Sequence, residues 1–192
     1  FDGVVASAGY DGFFELKRSR TRGTGVQLMR IHIATDHAGL EFSQQLQEHL
    51  RAQGHDVHDH GPTEYDPVDD YPSFCINAAQ AVADDWANGE PSLGVVFGGS
   101  GNGEQMAANK VAGVRAALVW NSATAKLARE HNNANVIAIG ARQHELSEAI
   151  QLIDTFIAEP FPGDERHVRR ISQLREYERT GATVSYTHLT LP

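Results

Sequence analysis

The stretch Gly98-Gly99-Ser100-Gly101-Asn102-Gly103-Glu104 joins two features that chemistry can use, a glycine-rich turn and a carboxylate. It follows an apolar run that reads as a buried strand and leads into a helix-compatible run, Gln105 to Lys110. Glycines let backbone N–H groups approach an anion closely, and a helix N-terminus adds partial positive charge. The pattern is not a Walker loop, because no Lys-Ser/Thr follows at the required place. Nor is it GxGxxG, because the third glycine comes too soon. A plain phosphate cradle has no use for a neighbouring carboxylate. A site that removes a proton while stabilising a developing enediolate needs both parts side by side. On the residues alone the other reading stays open: a ligand-free turn, with Glu104 an acid favoured by the helix dipole.

Other candidates recur at the ends of predicted elements. Asp36-His37-Ala38-Gly39 puts two titratable groups after the first strand, where an N-cap with an exposed neighbour reads as well as an active-site pair. His131-Asn132-Asn133 ends a helix; a neutral imidazole there can move a proton on a sugar oxygen, or the residues can serve as a cap. Arg142 follows Ile139-Gly140-Ala141, and Arg166 and Arg170 share a helix face. Guanidinium forks suit phosphate oxygens, while a solvated basic face is the plainer alternative. Tyr65 and Tyr71 either wall a pocket or anchor a loop. Cys75 falls in an apolar helical stripe and reads as core rather than nucleophile. His55, His58 and His60 share one short strand without an HExxH or open-site pattern, so no metal is expected.

The elements that must position these groups alternate along the chain. Arg30 to Thr35 alternates as a short strand does, and Phe42, Leu46 and Leu50 then form a four-spaced helical stripe stopped at Gly54. His55 to His60 reads as a second strand. Phe74, Ala78, Val82 and Trp86 stripe a second helix before the strand Leu93 to Phe97. Val114 to Trp120 and Asn135 to Ile139 read as buried strands around a helix from Ser122 to about Glu130. Leu146, Ile150, Ile153 and Ile157 supply a closing helix. A last helix, from about Asp164 to Thr180, carries Arg166, Arg169, Arg170, Arg175 and Arg179. This alternation predicts an α/β fold with a parallel sheet. Such sheets bind ligands beyond the carboxyl ends of their strands, so the loops after Thr35, Phe97, Trp120 and Ile139 should carry the chemistry.

Composition narrows the class. The 192 residues are 41% hydrophobic and 21% charged, an ordinary globular mix, and no apolar run approaches a membrane span. A formal charge of -9 argues against non-specific nucleic-acid or anionic-membrane binding. The lone Cys75 forms no internal disulfide, which fits a reducing cytoplasm. Residues 1–28 lack an initiating Met and a signal-type apolar region, and read as leader or non-native sequence. The domain is expected over 29–180, followed by a non-native or disordered tail at 181–192.

Several of these pieces together carry a resemblance. Thr35-Asp36-His37-Ala38-Gly39, Asp70-Tyr71-Pro72, Gly98 to Glu104, Ala108-Asn109-Lys110, Arg129-Glu130-His131-Asn132-Asn133 and the Arg166 to Arg170 run resemble, in order and spacing, the type B ribose-5-phosphate isomerases. The resemblance covers about Met29 to Thr180, with Thr35 where the family usually has alanine. It implies a Rossmann-like three-layer sandwich with a five-stranded parallel sheet and an extra C-terminal helix. It implies a homodimer or tetramer with shared active sites, no metal or other cofactor, and aldose-ketose interconversion of ribose 5-phosphate and ribulose 5-phosphate in the pentose phosphate pathway.

Residue by residue, the resemblance makes Glu104 the base, as in the glutamate branch common in actinobacteria; the branch that uses cysteine has it where Gly98 stands here. It has the backbone of Gly99, Ser100, Gly101, Asn102 and Gly103 hold the enediolate oxygen, and Ser100 help move a proton between O1 and O2. His131 with Asp36 opens the furanose, Asn132 positions the sugar, and His37, Arg142, Arg166 and Arg170 bind the phosphate. Family members also act on four- and six-carbon substrates (erythrulose 4-phosphate, allose 6-phosphate, galactose 6-phosphate). A non-catalytic phosphosugar-binding domain is the remaining alternative, against which Glu104, Ser100 and His131 argue.

Overall fold

A computed structural model describes residues 28–183. The expectations for a leader and a tail therefore fall almost entirely outside the described residues. The strands are β1 (Arg30–Ala34), β2 (Asp56–Asp59), β3 (Ser92–Gly98), β4 (Ala116–Leu118) and β5 (Val136–Gly140). The helices are α1 (Leu40–Gln53), α2 (Tyr71–Ala87), α3 (Asn102–Ala108), α4 (Ser122–Asn132), α5 (Leu146–Ala158) and α6 (Glu165–Thr180). Each strand is followed by a helix that carries the chain back, so all four strand pairings are parallel, in the order β2-β1-β3-β5-β4.

Side-chain alternation along the central strands builds both layers. Ile31, Ile33, Leu93, Val95, Phe97, Ile137 and Ile139 point to one face, covered by Leu46 and Leu50 of α1, Ala125 and Ala128 of α4, and Ile153 and Phe156 of α5. Ala34, Val96, Val136 and Ala138 point to the other, against Ala78, Val82 and Trp86 of α2 and Ala107 and Ala108 of α3. The central strands are buried on both faces, which is why they read as nearly continuous apolar runs. The expected three-layer α/β sandwich with five parallel strands and a C-terminal helix is what forms.

One expectation about an element needs correction. Of the run Val114 to Trp120 only Ala116–Leu118 is strand, and Ala117 and Leu118 are half-buried while Trp120 is 60% exposed. β4 is an edge strand with one neighbour, so apolar composition there does not mean burial on both sides. In α5 the buried side is Ala149, Leu152, Ile153 and Phe156, with Ile150 and Ile157 at its margin. The closing helix expected from Leu146, Ile150, Ile153 and Ile157 therefore forms, with Ile153 on its buried side.

The strand order sets the site. From β1 the chain moves outward to β2, while from β3 it moves toward β5 and β4, so succession reverses between β1 and β3. A crevice opens at such a switch point, beyond the carboxyl ends of the two strands. Asp36 and His37 leave β1 there, and the glycine loop leaves β3 beside them.

Candidate active site

The loop after β3 takes its shape from contacts that leave no room for side chains. Gly101 has φ 79°, and a Cβ on it would lie 2.8 Å from the Ile139 carbonyl carbon and 3.0 Å from the Gly140 nitrogen. Ala141 N–H donates to the Gly98 carbonyl at 2.7 Å and Arg142 N–H to the Gly99 carbonyl at 3.2 Å, tying the exit of β5 to that of β3. The Arg142 guanidinium accordingly hangs over Gly99. Ser100 Oγ accepts from the backbone and side-chain nitrogens of Asn102, each at 3.3 Å, which leaves its own hydrogen free to donate.

Glu104 turns inward from the first turn of α3 and is only 4% exposed. Its carboxylate lies where a Cβ on residue 98 would stand, so the glycine there is the space the carboxylate fills. Burial pushes the Glu104 carboxyl above the usual range and the charge of Asp36 adds to this, while backbone N–H groups of Glu104 and Gly101 pull the other way. A carboxylate raised in this way, beside backbone donors, is arranged as general bases are. Asp36 caps the short 3-10 turn at His37–Gly39 by accepting from Ala38 N–H at 2.9 Å. Its cap reading and its place in the crevice therefore both hold.

The structure puts His131, Asn132, Arg166 and Arg170 at the opposite, amino-terminal ends of the strands. α4 returns antiparallel to the strands, so its last residues, His131 and Asn132, sit at the amino ends. Arg115, just before β4, marks that position by donating to the carbonyls of Asn132 at 2.9 Å and Asn133 at 2.8 Å. Arg129 donates to the Ala134 carbonyl at 2.6 Å. Burial pulls both guanidiniums down to about 10, with like charge from Arg175 on Arg115 and from Arg115 on Arg129 as a further cause. His131 stacks on His167 of α6, ring centroids 4.3 Å apart, and the exposed Arg166 and Arg170 flank that contact along α6. Within one chain, then, His131 does not stand near Asp36. Its helix runs away from the crevice, and the expectation that the two act together needs a second copy of the chain.

The comparisons with known proteins decide the family. The Ribose/Galactose Isomerase family matches residues 31–174. The chain belongs to that family. It is 54% identical over 153 residues to ribose-5-phosphate isomerase B of Mycobacterium tuberculosis, covering 79% of this chain and 91% of that one. The structure of ribose-5-phosphate isomerase B from Mycoplasma genitalium with bound ribulose-5-phosphate superposes with a TM-score of 0.75 at 43% identity, covering 79% of this chain and 97% of that one. Galactose-6-phosphate isomerase subunit LacB of Clostridium acetobutylicum is 38% identical over 155 residues, 79% of this chain and 86% of that one. As members of this isomerase family act on sugar phosphates, the crevice is the place to look for aldose-ketose chemistry.

Two parts of this isomerase's crevice escaped the sequence. Asp69 Oδ1 accepts from the backbone N–H of His37 at 3.1 Å and lies 2.6 Å from its ring Nδ1, across a gap of 32 residues. It lies in an acidic run, Asp66-Pro67-Val68-Asp69-Asp70, where nothing local singles it out. The packing of Glu104 on Gly98 was equally hidden, although a glycine at the end of a buried strand does hint at close approach. Tyr71, one of the two tyrosines read as wall or anchor, lies against Gly103, and Tyr65 meets His37 edge-on at 6.0 Å while remaining 66% exposed. Cys75 is fully buried, as its stripe predicts.

Proposed function

We propose that this chain interconverts ribose 5-phosphate and ribulose 5-phosphate through an enediolate, with Glu104 as the base. The observation that carries this reading is the buried Glu104 carboxylate beside the loop Gly98 to Gly103, at the switch point of the sheet. The relatives named ribose-5-phosphate isomerase B support the choice of a pentose phosphate.

In the open-chain aldose Glu104 takes the proton from C2, the C2–H electron pair moves into a C1–C2 double bond, and O1 takes up the charge. Backbone N–H groups between Gly99 and Gly103 hold that oxygen. Ser100 passes a proton between O2 and O1, the C2 carbonyl forms, and Glu104 returns its proton to C1. A positioned base contributes on the order of 10²–10⁴ and an oxyanion donor on the order of 10²–10³ to the rate. His37 and Arg142 bind the phosphate from this chain. His131, Asn132, Arg166 and Arg170 belong to the same site across a homodimer or a tetramer built from such dimers, with His131 of one chain and Asp36 of the other opening the furanose. The enzyme works in the cytoplasm and uses neither metal nor other cofactor; among the described residues no helix is long and apolar enough to cross a membrane.

Proton NMR of the protein with ribose 5-phosphate in D₂O containing EDTA tests this reading. Ketose formation with deuterium at C2 of recovered aldose is expected. A folded sample that turns over only four- or six-carbon sugar phosphates would move the assignment to those substrates. One that binds but turns over none would reduce the chain to a phosphosugar-binding domain.

A further inference from the structure

His37 is held by a carboxylate that the reaction scheme does not use. Asp69 arrives from the loop before α2, and its side chain is 8% exposed against 24% for His37. One oxygen, Oδ1, takes both hydrogen bonds from His37. The other, Oδ2, is buried with no hydrogen-bond partner among the described residues. A buried carboxylate with an orphaned oxygen is unfavourable by itself, so a fold that keeps one has a compensating contact. Among the described residues that contact is to His37 alone.

We infer that Asp69 is a positioning residue of the sugar-phosphate site, which fixes the ring of His37 so that Nε2 is the nitrogen presented to the phosphate. The inference rests on the proposed assignment of His37 as a phosphate ligand. An ionised carboxylate only accepts, so Nδ1 carries the hydrogen of the 2.6 Å contact. That settles the tautomer: Nε2 is left with a lone pair in the neutral ring, and among the described residues no protein group takes it. A proton shared between Nε2 and a phosphate oxygen, brought by either partner, completes the chain Asp69···H–Nδ1, Nε2–H···O–P. Because Asp69 also binds the backbone N–H of His37, the ring is fixed together with the turn that carries it. The edge of Tyr65 closes one side of the ring without using a nitrogen.

Two measurements on the whole protein test this. Long-range ¹H–¹⁵N NMR, with the His37 signal assigned through His37→Ala, reports the tautomer at a pH where the ring is neutral. Hydrogen on Nδ1 is expected in the unmodified protein, and hydrogen on Nε2 overturns the inference without any substitution at Asp69. Calorimetric titration with inorganic phosphate gives the second readout. Asp69→Ala should weaken binding about tenfold or more, the loss expected for a charge-assisted hydrogen bond, and Asp69→Asn, which keeps an acceptor oxygen, should recover part of it. In a His37→Ala background Asp69→Ala should add nothing. If it instead adds its full effect there, Asp69 acts on the loop and not through His37. Failure of the isomerase reading looks different: the unmodified protein then leaves ribose 5-phosphate unchanged whatever the phosphate titrations show.

Discussion

The Glu104 carboxylate occupies the volume that any side chain at position 98 would need, so Gly98 and Glu104 form one unit. Gly98→Ala is therefore expected to push the carboxylate aside while leaving the sheet intact, because the end of a flexible side chain moves more readily than a central strand. Misplacing a reacting group by about 1 Å costs about 10² in rate. A drop of that order in kcat, at a nearly unchanged melting temperature, is the expected result. Full activity in this variant would show that the base is not where Glu104 stands.

Glu104→Gln keeps the shape and removes the basic oxygen. Turnover should fall by two or more orders of magnitude, in line with the usual contribution of a general base, while binding of ribose 5-phosphate persists. A variant that keeps more than about a tenth of the activity excludes Glu104 as the base.

Sharing of the site across subunits can be read from complementation. Glu104→Gln and His131→Ala chains should each be nearly inactive, but when unfolded together and refolded at equal amounts, half of the dimers are mixed. One site in each mixed dimer then carries both defects and the other none, which restores about a quarter of the wild-type activity. No recovery in mixed dimers demonstrated by mass would show that Glu104 and His131 are not shared between subunits in this way.

Stability should depend on pH through the imidazoles of the sheet. Burial lowers His32, His55 and His60 below the ordinary imidazole range; Asp85 opposes this at His32, Asp154 at His55 and Asp59 at His60. His32 also hydrogen-bonds His60 at 2.9 Å and Asp85 at 3.0 Å. The unfolded chain then binds more protons than the native one just below about 6.5, so this stabilisation is complete above that value and declines as pH falls through it. The melting temperature should drop between pH 7.5 and 5.5, a window above the ordinary carboxylate range. A flat profile refutes the assignment.

Cys75 is fully buried, and burial, with Glu104 and Asp36 as further causes, raises its thiol to about 12. Thiolate is the reactive form, so iodoacetamide should leave the native protein untouched and label it quickly in guanidinium. Rapid labelling of the native protein would mean that α2 opens readily.

Much of the architecture was legible because its signals are local. The twofold alternation of β1, the apolar runs of β3 and β5 and the four-spaced stripe of α2 each follow from the residues within one element. The turn Gly98 to Gly103 with Glu104 after it was legible for the same reason, as a glycine-rich strand exit followed by a carboxylate at the start of a helix. Where a signal depended on neighbours it misled: β4 looked like a buried strand until the sheet order made it an edge.

Amino-acid order alone thus determined which segments become strands and helices, and which side chains are equipped for proton transfer and phosphate binding. Tertiary structure decided which of them meet. Pairing of β1 with β3 brings Asp36 to Glu104, and a contact spanning 32 residues gives His37 its carboxylate. The antiparallel return of α4 carries His131 to the amino ends of the strands. The reason is physical: hydrogen-bonding periodicity and turn preferences act over a few residues, whereas strand order and the direction of a returning helix are settled by burying both faces of the sheet at once.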